Sequence, residues 1–301
     1  MSITVVGSSA FDDIETPRGA RKGIIGGSCI YFSLAASFKA KSNIVSVVGN
    51  DFPKKIFQIL NKKSVSTEGL IVKSGKTFSW GGKYNSFSED PKTKFTNLNV
   101  FQSFSPYIPQ SYNEKNSILF LANIDPDLQN RVVDLYKRPR IVGLDTMNFW
   151  IESKRKSLIK ALKRVDILTI NELELRLLGR KKSLNGCFKV LTNELGVKYL
   201  IVKRGSGGSL LVTKKSFHWI PSYPFCDVVD PTGAGDSYAG ALFSSLDTKR
   251  NINIKSIIES MVYASALSSF TIEKFGVENL INLKKSQIIN REKELKKIAR
   301  I

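Results

Sequence analysis

Val228-Val229-Asp230-Pro231-Thr232-Gly233-Ala234-Gly235-Asp236-Ser237-Tyr238-Ala239-Gly240-Ala241 is the stretch on which the reading of this chain turns. Gly233, Ala234 and Gly235 are small, so the backbone can turn sharply and aim N–H groups at an anion. Ser237 to Leu246 is apolar at helical spacing, which places those amides at a helix N-terminus, where the dipole favours negative charge. Asp236 then stands in the first helical turn, beside the anion hole. A carboxylate there does not bind phosphate; it is placed to take a proton from a hydroxyl that attacks one. An Asp at a helix start is also a common cap, and a Gly-rich turn is often only a turn.

The longer run Asp230-Pro231-Thr232-Gly233-Ala234-Gly235-Asp236-Ser237 resembles the C-terminal signature of the ribokinase-like (PfkB-type) carbohydrate kinases. The resemblance implies that Asp236 is the catalytic base and that the Gly233, Ala234 and Gly235 amides form the anion hole. Two other phosphate motifs are absent. Ser74-Gly75-Lys76-Thr77 ends like a P-loop, but Leu70 stands where its first glycine belongs, and no apolar helix follows. Gly233-Ala234-Gly235 is not a dinucleotide fingerprint, because the next glycine is Gly240 and position 238 is Tyr238.

The resemblance extends outward from this signature. Gly26-Gly27, followed by a small-residue helix, resembles the family's first signature; Tyr31 occupies a position where many members carry Asn. Asp12 follows the first-strand Gly7 at the spacing of an Asp that holds sugar hydroxyls in the family. Asp12, Gly26, Gly27 and Tyr31 are therefore the implied substrate-binding residues. Asn171 and Glu174 match an Asn-x-x-Glu pattern that organises Mg²⁺ and its waters; the same spacing makes a capping box. Gly205 and Gly208 match a turn near the nucleotide phosphates, with Lys203 or Arg204 as a source of positive charge or simply solvated. Thr232 and Gly276 complete the nucleotide set. Carbonyls near Asp230 and Thr232 would hold K⁺ in members that use it.

The chain itself bounds the remaining readings. Its 301 residues suit one large α/β domain with an insertion, and a 42% apolar content can supply a core. No run is long enough for a membrane span, and the first residues lack a signal-peptide pattern, so the cytoplasm is the expected compartment. Cys29, Cys187 and Cys226 lack metal-ligand spacing and are odd in number. The only histidine, His218, lies in an aromatic strand-like segment, which argues against Ser-His-Asp chemistry. The formal charge of +20 is spread in lysine pairs over every segment, without the clustering that nucleic-acid binding requires.

Alternating strand and helix patterns predict a doubly wound, mainly parallel sheet in a single domain over 1–301. Between Lys76 and Pro106 aromatics alternate with polar residues, and Gly81-Gly82 and Glu89-Asp90-Pro91 punctuate the run. This predicts two or three antiparallel strands. Residues 13–25 and 76–106 are thus the expected β-strand lid, with an edge extension or a homodimer contact as other uses. Asn290 to Ile301 predicts a docking helix with Leu295 and Ile298 on one face. The expected activity is ATP- and Mg²⁺-dependent phosphorylation of a sugar hydroxyl. A nucleoside kinase, with Tyr31 and the aromatic lid stacking on a base, and a non-catalytic nucleotide or sugar sensor are the alternatives.

Overall fold

The computed structural model describes residues 2–87 and 89–300. The chain opens with β1 (Ser2–Val6), whose five residues are all buried. Then follow β2 (Ala10–Thr16), β3 (Gly19–Gly26), α1 (Ser28–Ala36), β4 (Lys41–Gly49), α2 (Lys54–Lys62) and β5 (Val65–Lys73). The short strands β6 (Ser79–Lys83) and β7 (Lys92–Asn97) come next. From β8 (Ile118–Leu121) strands and helices alternate: α3 (Pro126–Leu135), β9 (Ile141–Asp145), α4 (Asn148–Ser153), α5 (Arg155–Leu162), β10 (Ile167–Asn171), α6 (Glu172–Gly179) and α7 (Leu184–Lys189). The chain continues through β11 (Tyr199–Lys203), β12 (Ser209–Val212) and β13 (Phe217–Ile220). It ends in α8 (Ala234–Asp247), α9 (Ile254–Thr271), α10 (Glu278–Asn282) and α11 (Lys285–Ala299).

The large sheet has the order β13-β12-β11-β10-β9-β8-β1-β4-β5. Its seven strands from β11 to β5 run parallel, and β12 and β13 close one edge antiparallel. Strands such as Ile118–Leu121 are apolar at every position because helices cover both faces. Phe32, Phe120 and Phe243 pack α1 and α8 onto one face, while Leu158, Leu175 and Leu191 belong to the core of the other. From β1 the chain builds outward to β4 and β5 and then returns to β1's other side with β8. Strand order therefore reverses between β1 and β8, and a ligand crevice is expected at their carboxyl ends.

The second sheet has the order β3-β2-β6-β7. It differs from the antiparallel expectation in one pairing, since β2 and β6 run parallel. Gly81 and Gly82 lie inside β6 rather than in a turn, because the Phe95 and Trp80 rings occupy the space their side chains would fill. The strands end at Asn97; beyond it Val100 and Phe104 are buried in the core of the large sheet. The C-terminal helix begins at Lys285, earlier than expected, and is anchored by Ile288 and Leu295, whereas Ile298 is exposed. Ile301, the end of the expected helix, lies outside the described residues.

Candidate active site

Gly233 caps α8 with φ at 74° and no side-chain cap. That left-handed turn needs glycine, and it also needs the space: a Cβ on Gly233 would meet the Tyr31 ring at 2.4 Å. Ser237 N–H donates to Gly233 O, which starts the helix, and Ala234 N–H donates to Pro231 O at 3.2 Å. The amides of Gly233, Gly235 and Asp236 donate to no acceptor among the described residues. Three N–H groups are thus left at a helix N-terminus, which is an anion-binding arrangement. It differs from the expected set in one member: Ala234 is already engaged, and the amide of Asp236 takes its place.

Asp230 is fully buried and holds this loop in shape. Its Oδ1 accepts from Thr232 N–H at 2.9 Å, and its Oδ2 accepts from Gly276 N–H at 3.0 Å. The second bond joins the anion loop to the segment after α9, where Gly276 has φ at 58°. Burial raises the Asp230 carboxyl above its usual range, and the two amides oppose that rise.

Asp236 is half-buried, and its pKa is raised to about 7. Desolvation is the main cause, the negative charge of Asp145 adds to it, and Lys203 opposes it. Lys203 is not solvated: its Nζ lies 2.7 Å from Asp145 Oδ2, and a Cβ on Gly235 would meet that Nζ at 3.0 Å. The ammonium therefore sits beside the anion loop, and the neighbouring Asp145 and Glu174 keep it protonated against the effect of burial. Arg204 is turned away, with Nε donating to Glu172 Oε2 at 2.7 Å.

Asn171 and Glu174 form the capping box of α6: Glu174 N–H donates to Asn171 Oδ1, and Asn171 N–H donates to Glu174 Oε2, each at 2.8 Å. Glu174 Oε1 takes no hydrogen bond among the described residues. Burial and the Asp145 charge raise Glu174 to about 8, with Lys203 opposing. A buried acidic pair, Asp145 and Glu174, with one ammonium between them is chemistry that a hard divalent cation suits.

Asp12 lies in β2, not in the loop after β1, and is buried. Its carboxylate covers Gly26, where a Cβ would come within 1.8 Å of Oδ2. Burial, then the charges of Asp230 and Asp236, raise Asp12 to about 8. Gly27 has φ at 93°, and a Cβ there would strike the backbone of Ser8, Ser9 and Ala10. Tyr31 is buried beneath the anion loop, and its hydroxyl has no hydrogen-bond partner. The charges of Asp12, Asp230 and Asp236 all bear on that hydroxyl.

The small sheet is tied down over this loop. Thr16 Oγ1 donates to Val229 O at 2.9 Å, and the Tyr84 hydroxyl lies 3.2 Å from Thr232 Oγ1. Gly205 and Gly208, with φ at 53° and 80°, form the turn after β11. Its carbonyls are held by Trp219 and Ser222 of the β13 end, which accounts for the turn's shape. Asp12, Asp236 and Tyr31 are thus brought together, and Lys203, Asp145 and Glu174 adjoin them. Asp145 and Tyr84 were not among the residues expected. Asp145 carries the one usable signal, an acidic residue at a parallel strand's carboxyl end; nothing local marks Tyr84.

Residues 29–284 match the family described as pfkB family carbohydrate kinase. A cytidine kinase of Thermococcus kodakarensis is 27% identical over 258 residues, covering 83% of this chain and 90% of its own. A nucleoside kinase of Methanocaldococcus jannaschii is 26% identical over 170 residues, covering 56% of this chain and 53% of its own length. Among solved structures, a putative ribokinase II from E. coli superimposes with a TM-score of 0.78 at 20% identity, covering 97% of this chain and 99% of that one. A Vibrio cholerae fructokinase with bound fructose, ADP and calcium gives 0.77 at 17% identity over 96% and 98%. The structural likenesses show the shared fold.

Proposed function

The chain belongs to the pfkB family of carbohydrate kinases and is thereby an ATP-dependent phosphotransferase with a sugar or nucleoside hydroxyl as acceptor; we propose that Asp236 is its catalytic base. The observation that carries this reading is the pairing of an uncapped helix N-terminus at Gly233 with an unpaired carboxylate in the same helical turn. The acceptor oxygen attacks the γ-phosphorus of ATP. A new P–O bond forms, the β–γ bridge bond breaks, and ADP leaves with its electron pair. The acceptor proton passes to Asp236 as attack proceeds, because an alcohol is too weak an acid to ionise first.

The free amides of Gly233, Gly235 and Asp236 stabilise charge on the transferring group, and Lys203, held by Asp145, adds a positive charge beside them. Asp12 orients the acceptor from the small sheet, with Gly26 and Gly27 making room. Glu174 and Asn171 would hold Mg²⁺ through water, and the ion would neutralise charge on the phosphates. The turn of Gly205 and Gly208, with Thr232 and Gly276, would receive the nucleotide. The backbone around Asp230 is the place for K⁺, since its side chain is already committed to two amides. The small sheet would act as the lid, and its two edges, β3 and β7, are where a second copy would pair.

A nucleoside acceptor is favoured by one observation: the relative matched over most of both chains is a cytidine kinase. The test is Mg-ATP turnover against sugars and nucleosides, with Asp236→Asn as the blank. Turnover lost in the variant with ATP binding retained supports the assignment; undiminished turnover removes Asp236 from it.

A further inference from the structure

The parallel pairing of β2 with β6 sets Asp12 opposite Trp80 and Ile14 opposite Gly82. Residues in register on paired strands share a face, and alternation places Trp80, Gly82 and Tyr84 on that same face. The hydrogen bond between Tyr84 and Thr232 marks it as the face turned toward the anion loop. Glu15 and its partners Lys83 and Lys94 occupy the opposite face.

The Trp80 indole lies flat on Gly82. A Cβ there would meet ring carbons Cη2, Cζ2 and Cζ3 at 2.2, 2.7 and 2.9 Å. Its Nε1 lies 3.4 Å from Thr93 Oγ1 on β7, which fixes the ring's direction. The ring is half-buried, and no aromatic partner stacks on it among the described residues. It is thus backed by glycine on one side and left with a flat apolar surface on the other. The nearby Tyr31 hydroxyl is a buried polar group with no partner, surrounded by Asp12, Asp230, Asp236 and Tyr84. A buried donor of this kind is satisfied when a ligand oxygen reaches it. Among the described residues no ion pair reaches Asp12, Asp230 or Asp236, and Lys203 is committed to Asp145.

Resting on the kinase reading, we propose that the acceptor is an uncharged, hydroxyl-bearing ring compound that packs on Trp80 and hydrogen-bonds Asp12 and Tyr31. Acceptors carrying phosphate or carboxylate are excluded, because the subsite offers them carboxylates and no free cation. Trp80 is then a specificity residue: an indole face suits the apolar face of a sugar ring or a nucleobase alike.

The experiment measures ADP release by the full chain with Mg-ATP. The neutral acceptors are cytidine, adenosine, D-ribose and D-fructose; the anionic ones are ribose 5-phosphate, fructose 6-phosphate and a 2-keto sugar acid. Binding of each is measured in parallel by calorimetry with a non-hydrolysable ATP analogue present. The expected result is turnover confined to neutral acceptors. Trp80→Ala should raise the acceptor KM at least tenfold with the ATP KM within twofold of wild type, and Trp80→Phe should restore most of the loss. Nucleosides bound where free ribose is not would place a base on Trp80; the reverse would place a sugar ring there. A phosphorylated or carboxylated acceptor used as well as any neutral one overturns the proposal and leaves the kinase reading standing. So does an acceptor KM unchanged in Trp80→Ala. Binding of no neutral acceptor also overturns it, while acceptor binding without any phosphoryl transfer overturns the kinase reading instead.

Discussion

The Lys203 ammonium lies 2.7 Å from Asp145 Oδ2, joining the carboxyl ends of two strands beside the anion loop. Their strands, β11 and β9, are separated by β10, so the pair spans the strand that ends in Asn171. Both side chains are largely shielded from water, so each depends on the other for its charge. This relationship makes Asp145 a positioning residue for the cation and a source of repulsion for Asp236.

Replacing Asp145 should therefore alter both rate and pH dependence. Asp236 must be ionised to accept a proton, so kcat/KM should fall as pH drops through about 7. Asp145→Asn removes a negative charge that raises this pKa and releases Lys203 to lower it further. The acid limb should move to lower pH while the plateau rate drops, since the cation is no longer held. A pH–rate profile with an unmoved acid limb would mean that Asp145 does not act on the base.

Gly233→Ala should disable the anion loop. A left-handed backbone at φ 74° and a Cβ at 2.4 Å from the Tyr31 ring must both be relieved. Strain of roughly 1–3 kcal/mol is expected from the backbone alone. The variant should melt at a lower temperature and lose kcat at least tenfold. The double variant Gly233→Ala with Tyr31→Ala should recover part of the melting temperature, because only the steric component is removed.

Asp12 should cost the fold stability at high pH. Its pKa rises from 3.8 for the free side chain to about 8 in the folded protein. Between those values the folded state holds more protons than the unfolded state, so stability falls as pH rises from about 4 to 8. Asp12→Asn should be more stable than wild type at pH ~9, with the difference closing toward pH ~4. Urea denaturation without nucleotide at both pH values checks this. The same variant should lose acceptor turnover, which would show stability given up for function at this position.

Glu174→Gln separates the helix cap from the metal role. The amide oxygen can still accept from Asn171 N–H, so the capping box survives. The melting temperature should change little, whereas the Mg²⁺ concentration for half-maximal rate should rise severalfold. Mg²⁺ titration of both proteins decides it; equal Mg²⁺ dependence would leave Glu174 as a cap alone.

Asp236→Asn should lower kcat by a factor on the order of 10²–10⁴, the range for a positioned proton acceptor. ATP affinity, measured by calorimetry, should stay within a few-fold, because the carboxylate meets the acceptor and not the nucleotide.

The signature from Asp230 to Ser237 was legible in the sequence because its chemistry is local. A left-handed glycine, three nearby amides and a first-turn carboxylate need only a few consecutive residues, and α8 forms where its apolar spacing begins. The Asn171–Glu174 cap and the strand–helix alternation were readable for the same reason: each lies within one element or one repeat. The resemblance brought Asp12 to the site but not to its strand. Other relationships required the tertiary structure. Lys203 meets Asp145 across 58 residues, and Tyr84 meets Thr232 across 148. Trp80 faces the crevice because β6 pairs parallel to β2 in one register, and a shift of one residue would turn it to the other face. The same pairing explains why Gly81 and Gly82 read as a turn when they are spaces for rings. Local composition sets which residues turn, cap or alternate. Which of them meet is decided by strand register and by the packing of two sheets, and those depend on the whole chain at once.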